Sequence, residues 1–364
     1  MTPAPSTPLA KALTRRIAEG GPITVRAFMD ACLTDPEHGY YRTRPAIGGA
    51  ADFITAPEIS QTFGELLGLW SAVAWQAMGA PSPFQLVELG PGRGTMMADA
   101  LRALGRIAGF AAAVRIVLVE PSPVLREMQR TALGRTGLDV QWVDDIGDLV
   151  PAPSILLANE LFDVLPITQV VRTADGWRER TVVLDAEDRL SFSVAREPWL
   201  SPLPAVAAHA PVGALVELRD LSPIAGALAR IGAREPVAAL FIDYGHEATG
   251  LGDTLQAVRR HAAEPVFEAP GKADLTAHVD FEAAARAFTD AGFQVERLST
   301  QGEFLGALGI AERASRLMSA NPARAGEIEM AVARLMAPEG MGSRFKVLGV
   351  RSPGLPPLPG FHTA

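Results

Sequence analysis

The sequence contains a single cysteine, Cys32, among its 364 residues. One cysteine excludes a disulfide within the chain, and it excludes the clusters of cysteine and histidine that hold structural zinc. We therefore predict a protein of a reducing compartment that has no metal site.

Lysine is almost as scarce, with three residues against 30 arginines, and the net charge at pH 7 is −8. An acidic chain lacks the basic surface to which nucleic acid binds, so no nucleic-acid partner is expected. No apolar run reaches the roughly 18 residues that cross a bilayer, so no membrane span is expected. The opening stretch, MTPAPSTPLAKALTRR, also lacks the apolar core of a secretory signal. We interpret it as a disordered start rather than an organellar transit segment, which predicts a cytoplasmic protein.

Strands and helices alternate in the first half of the chain. After a helix at 24–33 and a long loop, apolar residues recur at helical spacing from Phe63 to Ala77, with Ser60 as the N-cap. Four short apolar strands follow, separated by helices at 94–105 and 122–133; the strands are 85–89, 114–119, 140–143 and 154–158. Short apolar strands that alternate with helices indicate a parallel sheet covered on both faces.

Residues 165–197 interrupt this alternation. Their apolar and polar residues alternate between turn signals, which predicts an antiparallel meander inserted into the α/β core. A linker rich in proline and alanine follows at 198–212. The α/β pattern then resumes, and its predicted elements are a strand at 237–242, a long loop to about 278, a helix at 281–291, a strand at 293–298, a helical stretch at 302–337 and a last strand at 345–350.

The segment LVELGPGRGT places Gly90, Gly92 and Gly94 directly between a strand and a helix. Such a turn lets a ligand approach the backbone where the helix offers free N–H groups. The spacing differs from the dinucleotide fingerprint, and the lysine of a phosphate-binding loop is missing. A glycine turn that serves only strand–helix packing is the structural alternative.

Two glutamates decide which ligand suits this turn. Glu88 lies inside the strand before the glycines, where a carboxylate would repel a pyrophosphate but suit a cation. Glu120 ends the next strand, where it is placed to bind both hydroxyls of a ribose. S-adenosylmethionine carries a sulfonium and an ammonium and no phosphate, so it is favoured over a dinucleotide. Asp144 and Asp145, after the third strand, either contact the adenine or form a solvated turn.

Further acidic residues follow two other strands. Asn159, Glu160 and Asp163 leave the fourth strand together on the ligand side of the sheet, and Asp243 ends the next strand. A helix-capping role for Asn159 or Asp163 is the alternative. Carboxylates orient a guanidinium and localise its charge, so Glu160, Asp163 and Asp243, with Glu58, form a candidate set for methyl transfer to arginine. His246 and His278 are interpreted as structural residues in preference to catalytic bases.

With these residues in view, the chain resembles the MidA family, which includes the mitochondrial complex I assembly methyltransferase. The matching segments run from about residue 35 to 350; they are HGYY (38–41), DFITAPEISQTFGELLGLW (52–70), VELGPGRGTMMADALR (87–102), VEPSPVLREMQ (119–129), ANELFDVLPI (158–167), FIDYGHEATGLGDTLQAVRRH (241–261), DLTAHVDF (274–281), TQGEFLGALGI (300–310) and MGSRFKVL (341–348). The family pattern at 159–163 commonly has phenylalanine where this chain has Leu161, which is a conservative change.

The resemblance implies a class I, Rossmann-like methyltransferase core with a mostly parallel seven-stranded sheet, an N-terminal helical cap and an inserted antiparallel element. It implies S-adenosylmethionine as cofactor, with Gly90, Gly92 and Gly94 as the cofactor turn, Glu120 on the ribose, and residues 55–60 over cofactor and substrate. It further implies protein arginine methylation of a respiratory complex I core subunit, and a mitochondrial matrix location in a eukaryote.

The expected domain organisation divides the chain into five parts: an N-terminal cap with a covering loop at 1–80, the cofactor-binding half of the core at 81–164, the inserted meander and linker at 165–236, the second half of the core at 237–352, and a tail at 353–364. A small-molecule methyltransferase and a non-catalytic, cofactor-binding assembly factor remain alternatives. Apolar faces on helices within 60–79 and 302–337 form either a homodimer surface or core.

Overall fold

The computed structural model describes residues 7–43, 55–105 and 107–361. The predicted covering loop falls partly at 44–54, outside the described residues. In the described ranges there are thirteen α-helices: α1 Pro8–Gly20, α2 Val25–Thr34, α3 Tyr40–Thr43, α4 Ala56–Ile59, α5 Gln61–Ala77, α6 Thr95–Leu104, α7 Phe110–Ala113, α8 Pro123–Leu133, α9 Ser222–Gly232, α10 Phe281–Asp290, α11 Gln301–Ala307, α12 Ile310–Ala320 and α13 Ala325–Met336.

The same ranges contain seventeen strands: β1 Ile23–Thr24, β2 Phe84–Leu89, β3 Val114–Val119, β4 Val140–Val143, β5 Ser154–Asn159, β6 Ile167–Thr173, β7 Gly176–Leu184, β8 Leu190–Val194, β9 Leu215–Arg219, β10 Val237–His246, β11 Gln256–Arg259, β12 Ala262–Glu264, β13 Asp274–Thr276, β14 Val279–Asp280, β15 Gln294–Val295, β16 Ser299–Thr300 and β17 Phe345–Arg351. The predicted strands at 114–119 and 140–143 match these bounds.

The central sheet has the strand order β4-β3-β2-β5-β10-β17-β15, and β14 and β16 pair at its margin. Strands β4, β3, β2, β5 and β10 are parallel, as predicted, whereas β17 runs antiparallel to β10. The sheet is therefore mixed and nine-stranded, and the prediction of a mostly parallel seven-stranded sheet was wrong in this detail. The sequence could not give the direction of β17, because a strand buried on both faces has the same continuous apolar pattern in either direction.

Strands β2, β5 and β10 are buried on both faces over most of their length, and this explains why their residues are mostly apolar. In β2, Leu86 belongs to the core beneath α5 and α6, whereas Val87 belongs to the core beneath α9 and α10. The carboxyl ends of β2 and β5 are thereby fixed between two packed layers. Any ligand at those ends contacts side chains held on a rigid sheet.

Helix α5 lies against α6 at a distance that only glycine allows. A Cβ on Gly68 would lie 2.7 Å from the carbonyl oxygen of Ala100, and one on Gly64 would lie 2.7 Å from Cβ of Asp99. Ser60 caps α5 as predicted, because its hydroxyl accepts from the Thr62 amide at 3.2 Å. This packing fixes the short helix α4, which immediately precedes Ser60, at the carboxyl edge of the sheet.

The inserted meander is present as a five-stranded antiparallel sheet in which β8 pairs with β7 and the others follow the order β1-β7-β6-β9. Helices α1 and α2 share a core with it, through residues such as Leu13, Phe28 and Val182. The N-terminal helices therefore cover the insert, while α5 packs on the central sheet. The division into five domains stays a prediction.

The prediction of a long loop from the end of the strand at 237–242 to about residue 278 was wrong in part. Strand β10 continues to His246, and a three-stranded antiparallel sheet with the order β12-β11-β13 follows it. These strands have only three or four residues, which is too short for a periodic pattern to appear. The strand predicted at 293–298 is likewise reduced to the two residues of β15, and the equally short β16 lies just after the predicted range.

Candidate functional site

The three glycines form a tight turn between β2 and α6. All three have positive φ angles, 61° at Gly90, 53° at Gly92 and 81° at Gly94, which only glycine adopts without strain. A Cβ on Gly94 would lie 3.3 Å from Cα of Gln129. The turn therefore needs glycine both for its backbone conformation and for the close approach of α8.

A cleft of about 50 Å³ opens at this turn, where the carboxyl ends of β2 and β5 meet α4. It is lined by Thr55, Pro57, Glu58, Glu88, Gly90, Pro91, Gly92, Arg93, Thr95, Met96, Asn159 and Glu160. The predicted residues Glu58, Glu88, Asn159 and Glu160 are thus brought together. The cleft is smaller than typical ligand pockets.

Glu88 lies at the base of the cleft and is 2% exposed. Burial raises the pKa of its carboxyl to about 8, although the Met97 amide donates to it. Among the described residues its Oε2 has no hydrogen-bond partner, and the same is true of Oδ1 of Asn159. Two buried acceptor oxygens that face the same cleft suit a ligand that supplies a positively charged donor.

Glu160 ties the end of β5 to α4. Its Oε1 accepts from the Ala56 amide and from Nδ2 of Asn159, both at 3.1 Å. Its φ angle of 51° is unusual for a residue other than glycine, and such strained positions concentrate at functional sites. Burial raises the pKa of the carboxyl to about 7, and the neighbouring Asp163 raises it further.

Asp163 and Asp243 lie together beneath the cleft and do not line it. Oδ2 of Asp243 accepts from the Asp163 amide at 3.1 Å, and its Oδ1 accepts from the Tyr244 amide at 2.8 Å. Burial raises the pKa of Asp163 to about 6, and the hydroxyl of Tyr244 donates to it and opposes the shift. Burial and then the charge of Asp163 raise the pKa of Asp243 well above its usual range. Asp243 therefore does not line the cleft, because its oxygens accept from backbone amides, and its role in methyl transfer stays a prediction.

Glu58 is held at the mouth of the cleft by α4. Its Oε1 accepts from the Thr95 hydroxyl at 2.5 Å, and its Oε2 lies 3.8 Å from Nη1 of Arg93. A guanidinium thus already occupies the vicinity of this carboxylate. Glu58 therefore forms an ion pair with the arginine of the glycine turn.

Glu120 lies at the end of β3, outside the cleft lining. Its carboxylate accepts from the Ser122 amide at 2.8 Å and from Nε2 of Gln129 at 3.2 Å. Burial raises its pKa to about 7, and these hydrogen bonds lower it in part. The same Nε2 of Gln129 donates to the Gly92 carbonyl at 2.8 Å, while Trp142 donates to Oε1 of Gln129 at 2.8 Å.

Gln129 therefore joins the glycine turn to the predicted ribose acid, and the sequence reasoning missed it. It is fully buried. A polar residue in the buried face of the amphipathic helix α8 was the available signal.

Arg219 is the second residue that was missed. It ends β9 in the inserted sheet, and its guanidinium donates to four carbonyls; they belong to Asp163 at 3.4 Å, Leu165 at 3.2 Å, Ala277 at 2.9 Å and His278 at 3.0 Å. Its positive charge lies close to Asp163 and Asp243. The insert thus supplies a counter-charge that fixes the backbone of the site.

Asp145 and the two histidines lie apart from the cleft. Oδ1 of Asp145 accepts from the Gly147 amide at 2.7 Å and caps a single 3₁₀ turn. Nδ1 of His246 lies 2.7 Å from the Ala248 carbonyl oxygen. His278 packs edge-on against Tyr244 with ring centres 5.6 Å apart, and its partial burial lowers its pKa. An adenine contact by Asp145 stays a prediction.

The chain is similar to known proteins over most of its length. A family of S-adenosyl-L-methionine-dependent methyltransferases has a model that matches residues 66–299. The chain is 38% identical over 368 residues to "Protein arginine methyltransferase NDUFAF7, mitochondrial" of Danio rerio, covering 94% of this chain and 86% of that protein. The human protein of the same name is 37% identical over 370 residues, covering 94% and 82%.

A solved structure also resembles the whole chain. It is the crystal structure of a "COG1565 superfamily member and likely methyl transferase" from Burkholderia thailandensis bound to S-adenosyl-homocysteine. The two structures match with a TM-score of 0.85 and 29% sequence identity, and the match covers 97% of this chain and 93% of that one. The relatives with this name are mitochondrial proteins, and their names do not support the predicted cytoplasmic location. Within the described ranges, no helix is long and apolar enough to span a membrane.

Proposed function

Because the chain belongs to this family of S-adenosyl-L-methionine-dependent methyltransferases, we propose that it is a protein arginine N-methyltransferase. We further propose that its acceptor is a core subunit of respiratory complex I or an assembly intermediate of that complex. The observation that carries the proposal is the meeting of Glu58 and Glu160 at the glycine turn, with one arginine already beside Glu58.

The cofactor fits the residues present. The glycine turn gives it close access to the backbone, and the unpaired oxygen of Glu88 faces a position suited to the ammonium group. Glu120, oriented by Gln129, would bind the ribose hydroxyls. When bound, S-adenosylmethionine supplies an electrophilic methyl group on sulfur.

The carboxylates act on the acceptor. Glu160 and Glu58 would hold the guanidinium so that one nitrogen lone pair points along the line of attack. As the new N–C bond forms and the S–C bond breaks, that nitrogen loses a proton. Glu160 has a pKa of about 7, so near neutral pH it can accept this proton.

Asp163 and Asp243 would support Glu160 without contacting the acceptor. They are buried under the cleft and bound to backbone amides and Tyr244, so we assign them the support of Glu160 rather than contact with the acceptor. A mitochondrial matrix location would follow in a eukaryote, and a homodimer stays a prediction.

The test is methyl transfer with purified components. Wild-type protein, labelled S-adenosylmethionine and a recombinant complex I core subunit should give labelled methylarginine after hydrolysis, and Glu160→Gln should not. Label found only on small molecules would support a small-molecule methyltransferase instead.

A calorimetric titration tests the cofactor separately. S-adenosylhomocysteine should bind, NAD should not, and Gly92→Val should abolish binding because a β-branched residue is strained at a φ of 53°. Intact biological activity in Gly92→Val would favour a non-catalytic assembly factor.

A further inference from the structure

A second cavity, of about 450 Å³, adjoins the cleft on the side away from the glycine turn. We call it the helical groove, because it runs between the α4–α5 junction and the pair α12 and α13. Its lining includes Glu58, Ile59, Thr62, Leu317, Glu327 and Ile328. Glu58 lines both the cleft and the helical groove, so the two spaces meet at a residue that we place against the acceptor.

One buried polar group in the lining lacks a partner. Thr62 is 0% exposed, and its hydroxyl makes no hydrogen bond with any described residue. Buried hydroxyls are normally satisfied. An unpaired hydroxyl in the wall of a cavity indicates a ligand with a polar backbone or side chain.

The charges and apolar residues of the helical groove suit a peptide. Glu58 and Glu327 place a carboxylate on each wall, and Arg324 is engaged by Glu327 at 2.9 Å. Leu317 and Ile328 are partly exposed and face the same space. Helix α13 also carries Arg334, whose positive charge acts on Glu160 from a distance. Glu327 is paired with Arg324 and Glu58 lies beside Arg93, so the lining has a small net negative charge around an apolar middle, which suits an extended segment that carries arginine.

We propose that the helical groove binds the polypeptide segment of the acceptor and delivers its arginine past Glu58 to the cleft. The inference rests on the proposed function and adds the surface that selects the substrate. The C-terminal helices α12 and α13 thereby become the specificity element of the enzyme. A neutral small acceptor would not require this surface.

The chain offers a direct way to test this surface. Its only cysteine, Cys32, is buried, and burial raises its pKa to about 12, so it does not react with maleimides at neutral pH. Ile328→Cys places a reactive thiol in the helical groove. Met330→Cys places one on the same helix at a residue that is 69% exposed and outside the lining, which makes a matched control.

The first measurement is peptide binding. Both variants carry an environment-sensitive maleimide dye and are titrated, with S-adenosylhomocysteine present, with the peptide Gly-Arg-Gly-Arg-Gly and its citrulline counterpart. A saturable dye response to the arginine peptide at position 328, at least fivefold larger than at position 330, is expected. Equal responses at both positions, or equal responses to both peptides, would overturn the proposal.

The second measurement uses activity. A bulky maleimide on Ile328→Cys should raise the KM for the recombinant core subunit at least tenfold and change the affinity for S-adenosylhomocysteine less than twofold, while the same label on Met330→Cys should change neither. An unchanged KM in labelled Ile328→Cys would refute the docking role. If the wild type fails to methylate the subunit, the proposed acceptor is wrong, and the peptide titration still decides the role of the helical groove.

Discussion

Glu160 accepts a hydrogen bond from the backbone amide of Ala56 at 3.1 Å, across 104 residues of sequence. This contact holds α4, which carries Glu58, against the end of β5. The two carboxylates that we assign to the acceptor are thereby fixed to each other as well as to the glycine turn. One side chain, Glu160, therefore contacts both α4 and the proposed acceptor position.

Replacement of Glu160 tests its role in the reaction. Glu160→Gln keeps the size of the side chain but removes its charge and its capacity to accept a proton. We expect kcat to fall about 100-fold or more, with the affinity for S-adenosylhomocysteine within about threefold of wild type. Steady-state kinetics and calorimetry measure the two quantities. Glu187→Gln, at a solvent-exposed turn of the insert, is the control, and an equal loss there would remove the assignment.

The pH dependence of cofactor binding tests Glu88. Its pKa in the free protein is about 8 because of burial, and the ammonium group of the ligand pairs with the charged form. The affinity for S-adenosylhomocysteine should therefore rise as pH increases from 6 to 8.5. In Glu88→Gln the affinity should be lower and should depend less on pH in this window, where Glu120 still titrates near pH 7. A flat profile in the wild type would contradict the placement of the ammonium at Glu88.

The same carboxyl makes folding stability depend on pH. The folded protein holds the Glu88 proton more tightly than the unfolded chain does, because its pKa rises from 4.5 to about 8. Without ligand, its contribution to the free energy of unfolding is fully present below pH 4.5 and is lost as pH rises towards 8. Urea unfolding at several pH values should show this loss in the wild type and a shallower one in Glu88→Gln.

Gln129 should matter for the cofactor and not for the acceptor. Its Nε2 donates both to Gly92 and to Glu120, and an unsatisfied buried acceptor costs about 1–3 kcal/mol. Gln129→Ala should weaken binding of S-adenosylhomocysteine about tenfold or more and leave the KM for the acceptor unchanged. Trp142→Phe, which removes only the donor to Oε1 of Gln129, should have a smaller effect. A larger effect of Trp142→Phe would place the important contact elsewhere.

The close contact of α5 and α6 gives a prediction for stability. Gly68→Ala places a methyl group 2.7 Å from the Ala100 carbonyl oxygen, and such overpacking costs about 1–3 kcal/mol. Gly226→Ala in α9 meets open space, so the same change there should stabilise the protein by about 0.5–1 kcal/mol. Urea unfolding of both variants measures the contrast. Equal and small changes would show that the helices can separate freely.

Arg219 links the insert to the site, and its positive charge should affect the pH dependence of kcat. Arg219→Met removes the positive charge beside Asp163 and Asp243, so their pKa values should rise and the acidic limb of kcat should move to higher pH. In Arg219→Lys the acidic limb of kcat should return part of the way to its wild-type pH, because lysine restores the positive charge but not the four hydrogen bonds. Loss of stability with an unmoved pH profile would make Arg219 a purely structural residue.

The sequence predicted those candidate site residues that lie next to a recognisable strand in the chain. The glycine turn, Glu88 before it and Glu160 after β5 follow strands whose apolar runs are unambiguous, and parallel strands bring their carboxyl ends to one edge. Arg219 and Gln129 gave no such signal, because each acts across a fold contact between distant segments. Among 30 arginines, only the position of β9 beside residues 163 and 277 distinguishes Arg219. The direction of β17 could not be predicted for a related reason. A strand buried on both faces lacks the alternation of polar and apolar residues that would distinguish an antiparallel strand.

The most direct test of arginine methylation is tandem mass spectrometry of the complex I core subunit from cells with and without this gene. The account predicts dimethylarginine on that subunit in cells that carry the wild-type gene, and its loss both on deletion and on replacement by Glu160→Gln. Dimethylarginine that persists without the gene, or that survives in the Glu160→Gln cells, would contradict the account.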